Sequence, residues 1–125
     1  MGSFRKTKQS ALILDIINRS CEHLSAFDVY KKCLEHINNI SLGTVYRNLN
    51  NLVENNQIRK IIDLNGIEHF DNLKFSHNHF ICTKCMRISD IMDYVNIPLE
   101  CEFGKILDYE IIYKGLCHNC CKEEN

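Results

Sequence analysis

The chain has 125 residues, of which 45% are hydrophobic and 25% charged, with 15 basic and 16 acidic side chains. That is globular composition on the scale of one ordinary domain or two very small ones, and it excludes a disordered or low-complexity chain. No apolar run approaches a membrane span. The opening Met1-Gly2-Ser3-Phe4-Arg5-Lys6 leads straight into polar sequence, so no secretory signal is expected and a cytoplasmic protein with reduced thiols is. Charge is uneven: residues 1–62 carry nine basic and five acidic side chains, residues 63–125 six and eleven. Only the front of the chain suits contact with phosphate.

Thr7 to Ser20 is predicted as a helix, with Leu12, Ile13, Ile16 and Ile17 on one apolar stripe. A second helix is expected from Ser25 to about His36, opened by the capping box Ser25-Ala26-Phe27-Asp28 and burying Val29, Cys33 and Leu34. A third begins near Ser41. Leu42, Val45, Leu49 and Leu52 alternate at spacings of three and four, so Gly43, Tyr46, Arg47 and Asn50 face away from the core. Ile58–Leu64 and Ile67–Phe70 flank Asn65-Gly66, a strong hairpin signal. Three helices and a hairpin describe a winged helix-turn-helix, or any small helical domain with a hairpin.

From near residues 70–76 the pattern changes. Strands are expected over Phe75–Ile81, Arg87–Met92 and Tyr109–Tyr113, and a helix over Pro98–Leu107. The whole is an α+β chain: a helical front, residues 1–72, and a small α/β back, residues 73–125, too small to be stable without a metal or a partner.

Cys82-Thr83-Lys84-Cys85 and Cys117-His118-Asn119-Cys120 form two Cys-x-x-Cys pairs, 31 residues apart. Four thiolates suit tetrahedral Zn²⁺ in a structural site. A thioredoxin-like redox pair is the rival, although it needs a βαβ setting and no second pair. Cys121 leaves open which thiols of the last pair bind. Cys21, Cys33 and Cys101 are isolated, and ordinary burial accounts for them.

His77-Asn78-His79 lies in an alternating segment, so both imidazoles share a face while Cys82 takes the other. Asp71, Asp90 and His23 are nearby candidates in sequence. Imidazoles with carboxylates suit Fe²⁺, Mn²⁺ or Zn²⁺, but the chemistry alone does not select His23 or Asp71. A zinc hydrolase built on His77 and His79 lacks an H-E-x-x-H arrangement.

Several segments together resemble the Fur (ferric uptake regulator) family. They are Gln9 in Thr-Lys-Gln-Ser, His23-Leu24-Ser25-Ala26, the run Ile40 to Leu49 containing Thr-Val-Tyr-Arg-Asn-Leu, the run His77 to Cys85, and Tyr113 to Cys120. They stand in the family's order and span nearly the whole chain. The resemblance implies a winged-helix DNA-binding domain followed by an α/β dimerisation domain. It implies a metal-dependent repressor, not an enzyme, acting as a homodimer on palindromic double-stranded operator DNA. By the same resemblance Cys82, Cys85, Cys117 and Cys120 match structural zinc ligands. His23, Asp71, His77, His79 and Asp90 match a regulatory site for Fe²⁺ or Mn²⁺, and Arg5, Tyr46 and Arg47 match DNA-contacting positions. Aspartate at both 71 and 90 resembles the peroxide-sensing PerR branch; iron sensors tend to carry glutamate there, and zinc sensors a different ligand set. Two departures stand out. Ser10 replaces the usual arginine, and Ser76 and Asn78 replace the ligands of a further metal site, so no third site is expected.

Overall fold

The structure is a computed structural model that describes residues 7–73, 78–93 and 95–123. The chain divides into two compact units, Met1–Lys74 and Phe75–Asn125. Among the described residues no helix is long and apolar enough to cross a membrane.

The first unit contains helices α1 (Lys8–Arg19), α2 (Ala26–Leu34) and α3 (Leu42–Glu54), with strands β1 (Leu24–Ser25), β2 (Arg59–Ile62) and β3 (Glu68–Asp71). Each helix starts where a hydroxyl satisfies orphan amides. Thr7, Ser25 and Ser41 are the N-caps, and Thr7 and Ser25 form reciprocal capping boxes with Ser10 and Asp28. Ser10 is thereby explained locally. Its amide donates to Thr7 Oγ1 at 3.0 Å and its Oγ accepts from the Thr7 amide at 2.7 Å. The apolar stripes meet in one core: Ile13, Ile17, Val29, Val45, Leu49, Leu52 and Phe70 are all buried. Leu34, expected inside, is exposed, because α2 ends there and its last turn leaves the core after Cys33.

The three strands form an antiparallel sheet in the order β1-β3-β2. Asn65-Gly66 does turn the hairpin, but the loop runs over residues 63–67 and is organised by Asp63. Asp63 Oδ1 accepts from the amides of Asn65 at 2.8 Å and Ile67 at 3.0 Å. Gly66 sits at φ 82°, a conformation that favours glycine.

The second unit holds β4 (Asn78–Cys82), β5 (Ile88–Asp90), β6 (Glu100–Cys101), β7 (Gly104–Lys105), β8 (Ile111–Gly115) and α4 (His118–Glu123). β4 is central: β5 pairs with it antiparallel and β8 parallel. A parallel pair needs a long crossover, ordinarily a helix. The helix expected over Pro98–Leu107 is not there. Instead β6 and β7 form a hairpin in which Glu100 faces Lys105 and Cys101 faces Gly104. Gly104 at φ 147° cannot continue a right-handed helix, and Leu99, Phe103 and Leu107 are all exposed, so no apolar face is buried to hold one.

Candidate metal centres and DNA-facing helix

The parallel pairing of β4 and β8 assembles the cysteines. Cys82, the last residue of β4, stands opposite Gly115, the last residue of β8. Neighbouring parallel strands release their following turns at the same end of the sheet, so two Cys-x-x-Cys segments far apart in sequence come side by side. In the first turn the Met86 amide donates to the Cys82 carbonyl at 2.9 Å, and Met86 takes φ 64°. The second runs from Cys117 into α4.

Sulfurs of Cys82, Cys85, Cys117 and Cys120 all lie within 4.8 Å of one another, and Cys85 Sγ is 3.9 Å from Cys117 Sγ. Zinc–sulfur bonds of about 2.3 Å at tetrahedral angles set sulfurs about 3.8 Å apart, so the quartet fits zinc. Cys121, exposed, is outside the quartet. Amides of Cys117 and Cys85 donate to Cys82 Sγ at 3.4 and 3.5 Å. Those amide donors, Cys85 first and Cys117 next, lower the Cys82 thiol to about 6. The Cys120 thiol is pushed up to about 12, first by its hydrogen bond to Cys117 and then by burial. Cys82 is therefore held toward its thiolate and Cys120 toward its thiol, and a bound cation would favour the thiolate of each. Of the isolated cysteines only Cys33 is buried, where burial raises its thiol pKa; Cys21 and Cys101 are exposed, contrary to expectation.

The histidines and aspartates form cross-strand pairs, one in each unit. In the first, β1 and β3 pair Leu24 with Phe70 and Ser25 with His69. The next rung sets His23 against Asp71, and His23 Nε2 lies 3.0 Å from Asp71 Oδ2 with both side chains buried. In the second, His79 and Asp90 are register partners of β4 and β5, and His79 Nε2 lies 3.2 Å from Asp90 Oδ1. Each pair offers nitrogen and oxygen donors suited to a divalent cation of intermediate hardness. His77 and Ser76 lie outside the described residues, as does Arg5.

One further arrangement has no sequence motif. His69 Nδ1 lies 3.0 Å from the His23 carbonyl oxygen and His69 Nε2 lies 2.8 Å from Asp63 Oδ2. The carbonyl only accepts, so Nδ1 donates to it, and Nε2 faces the Asp63 carboxyl. Burial pushes the Asp63 carboxyl up, but the hydrogen bond from His69 and the amides of Ile67 and Asn65 outweigh it and hold it below the usual carboxylate range. The detectable signal was Asp63 two residues before Asn65-Gly66, a side chain placed to brace a turn.

On α3, Tyr46, Arg47 and Asn50 are exposed while Val45, Leu49 and Leu52 are fully buried. A helix with one buried face and a cationic, hydrogen-bonding opposite face has the form that enters a major groove.

Comparison with known proteins agrees with this architecture. The model of the ferric uptake regulator family matches residues 2–105. The ferric uptake regulation protein of Bacillus subtilis (strain 168) is 31% identical over 129 residues, covering 95% of this chain and 87% of that protein. The peroxide operon regulator of the same organism is 29% identical over 126 residues, covering 97% and 87%. The solved structure of the Helicobacter pylori ferric uptake regulator Fur matches with a TM-score of 0.80 at 21% identity, over 98% of this chain and 85% of that one, a likeness of fold. The chain belongs to the ferric uptake regulator family, whose members are metal-responsive transcription regulators.

Proposed function

We propose that this chain is a metal-dependent repressor that binds palindromic operator DNA as a homodimer and senses peroxide. In this reading residues 1–72 bind DNA and residues 73–125 dimerise. Cys82, Cys85, Cys117 and Cys120 hold a structural zinc ion. His23, Asp71, His77, His79 and Asp90 together hold Fe²⁺ or Mn²⁺, joining the two units through one ion. Arg47 and Tyr46 read the major groove, and Arg5 reaches the duplex beside it. Metal occupancy shifts the population toward the form that fits successive half-sites.

The observation that carries the reading is the paired chemistry of the two rungs, with an imidazole facing an aspartate in each unit. Aspartate is shorter than glutamate and less able to bind through both oxygens, which leaves room on the ion for a peroxide. A ferrous ion held there would supply electrons to peroxide, and His23 or His77 would be the imidazole that takes an oxygen from it. An oxidised imidazole is a poorer donor, so the site opens and DNA is released. A relative named as a peroxide operon regulator supports this branch. The relative named as a ferric uptake regulation protein supports the alternative, an iron-availability sensor with the same site.

The test uses DNA selected from a random pool by the Mn²⁺-loaded protein. Fe²⁺-loaded wild type is expected to leave this DNA after a peroxide pulse and to gain oxygen on His23 or His77 by peptide mass spectrometry. The Mn²⁺ form should do neither, and Asp90→Glu should keep Fe²⁺-dependent binding while responding less to peroxide. Fe²⁺ protein that stays bound with both histidines intact overturns the peroxide reading in favour of iron sensing.

A further inference from the structure

The Asp63–His69–His23 chain of hydrogen bonds is used by nothing described so far. It lies wholly in the first unit and links two places of different kinds. At one end is the peptide of His23, whose ring faces Asp71. At the other is the β2–β3 turn, where Asp63 accepts the amides of Asn65 and Ile67 with one oxygen and His69 with the other. One carboxylate thus joins the turn, through Oδ1, to a ring, through Oδ2, that also grips the His23 carbonyl. β1 is only two residues long, and its ladder pairs Leu24 and Ser25 with Phe70 and His69. His23 lies just outside that ladder, and the hydrogen bond from His69 Nδ1 to its carbonyl restrains its peptide. The side chains of His69 and Asp63 are 17% and 4% exposed, so water competes weakly for these bonds.

We propose that His69 is a positioning residue that couples metal occupancy at His23 to the conformation of the β2–β3 turn, with Asp63 as the receiving group. This rests on the reading of His23 as a ligand of the regulatory metal. A cation that draws the His23 ring into a fixed place also fixes its peptide, and through the ring of His69 it fixes the carboxylate that braces the turn. Coupling of this kind is reciprocal: loosening the turn weakens the metal, and removing the metal loosens the turn. In a winged helix that turn is the tip of the wing, so the metal's influence reaches a second DNA-facing element without passing through the second unit.

Two isosteric substitutions separate the links. In His69→Asn the amide nitrogen takes the place of Nδ1 and keeps a donor toward the His23 carbonyl. In His69→Gln it takes the place of Nε2 and keeps a donor toward Asp63. Mn²⁺ affinity is measured by titration of the full chain, with hydrogen exchange of residues 63–67 followed with and without Mn²⁺. Wild type should show slower exchange in the turn when Mn²⁺ is bound. His69→Gln should bind Mn²⁺ about tenfold more weakly, as removal of groups that orient ligands commonly does, and its turn should no longer respond to the metal. His69→Asn and Asp63→Asn should both lose the response of the turn and, by the same reciprocity, weaken Mn²⁺ binding, but less than His69→Gln does. A merely structural role would lower the unfolding temperature of all three alike and leave the Mn²⁺ response of the turn intact, which overturns the proposal. So does wild-type affinity and response in His69→Gln, whichever way its stability moves. His23→Ala is the control for the underlying reading: if it binds Mn²⁺ like wild type, the metal site itself is wrong and the coupling falls with it.

Discussion

The two units are built on opposite principles. In the first, a dozen buried apolar side chains from three helices, β1, β3 and the segments leading into α3 and β2 form one core, and every helix is capped by a hydroxyl of its own sequence. In the second, the buried apolar side chains among the described residues are Ile81 and the two cysteines Cys82 and Cys120. Its large apolar residues, Leu99, Phe103 and Leu107 among them, are exposed. Burial of apolar area is the dominant favourable term in folding, so the first unit has a source of stability that the second lacks. The second unit has four sulfurs arranged for one ion, and binding of structural zinc to such a set is worth roughly 10–16 kcal/mol at neutral pH. A small unit can therefore substitute coordination for a core, and its fold then depends on a ligand.

That contrast can be broken most forcefully at the thiols. Removing zinc with a chelator, or making Cys82→Ser, should unfold residues 78–123 while α1 to α3 remain folded. Amide hydrogen exchange resolved by region reads this directly, with metal analysis giving about one zinc per chain in wild type. Equal loss of protection in both units would show that the first does not stand on its own core. Leu49→Ala probes the other side. Leu49 is fully buried, and such truncations cost about 2–5 kcal/mol. Thermal unfolding should show this loss in the first unit with zinc content unchanged. The smallest effect is expected from pH. Because the Asp63 carboxyl is held below its ordinary range, its contribution is present above that range and is lost as pH falls through the lowered value. Asp63→Asn should therefore be less stable than wild type at pH 7, and the difference should shrink below about pH 4, as wild-type Asp63 takes up its proton. A difference that stays constant across an acid titration would show that the side chain braces the turn without its charge.

Legibility from sequence followed the same divide. Helices of the first unit were readable because a buried face imposes its period on the sequence: Val45, Leu49 and Leu52 mark α3, and Ser41 marks its start. The cysteine quartet was readable because two-residue spacing is a chemical signature independent of any core. The run after Pro98 misled for a physical reason. Leu99, Phe103 and Leu107 recur at helical spacing, but periodicity predicts a helix only where a surface exists to bury the stripe, and here the residues are exposed and Gly104 turns a hairpin. His69 was invisible because its partner is a backbone carbonyl 46 positions away, and a carbonyl leaves no mark on the sequence. The pairing of His23 with Asp71 was reachable only by resemblance, since the two-residue strand that sets the rung is too short to announce itself.

The parallel register of β4 and β8 has a consequence in time. Cys82 and Cys117 stand 35 positions apart, so on a growing chain the first pair of thiols is exposed well before the second exists. Domains generally fold as units during synthesis, beginning with the N-terminal one. The helical unit, complete by residue 74, can settle while Cys82 and Cys85 are still waiting for β8 to arrive alongside β4. During that interval Cys82 and Cys85 lack the two sulfurs that complete their quartet, so both are open to an oxidant or a stray metal. A cell short of zinc at that moment would accumulate chains with a finished front half and an unfinished back half, a species that proteases can recognise.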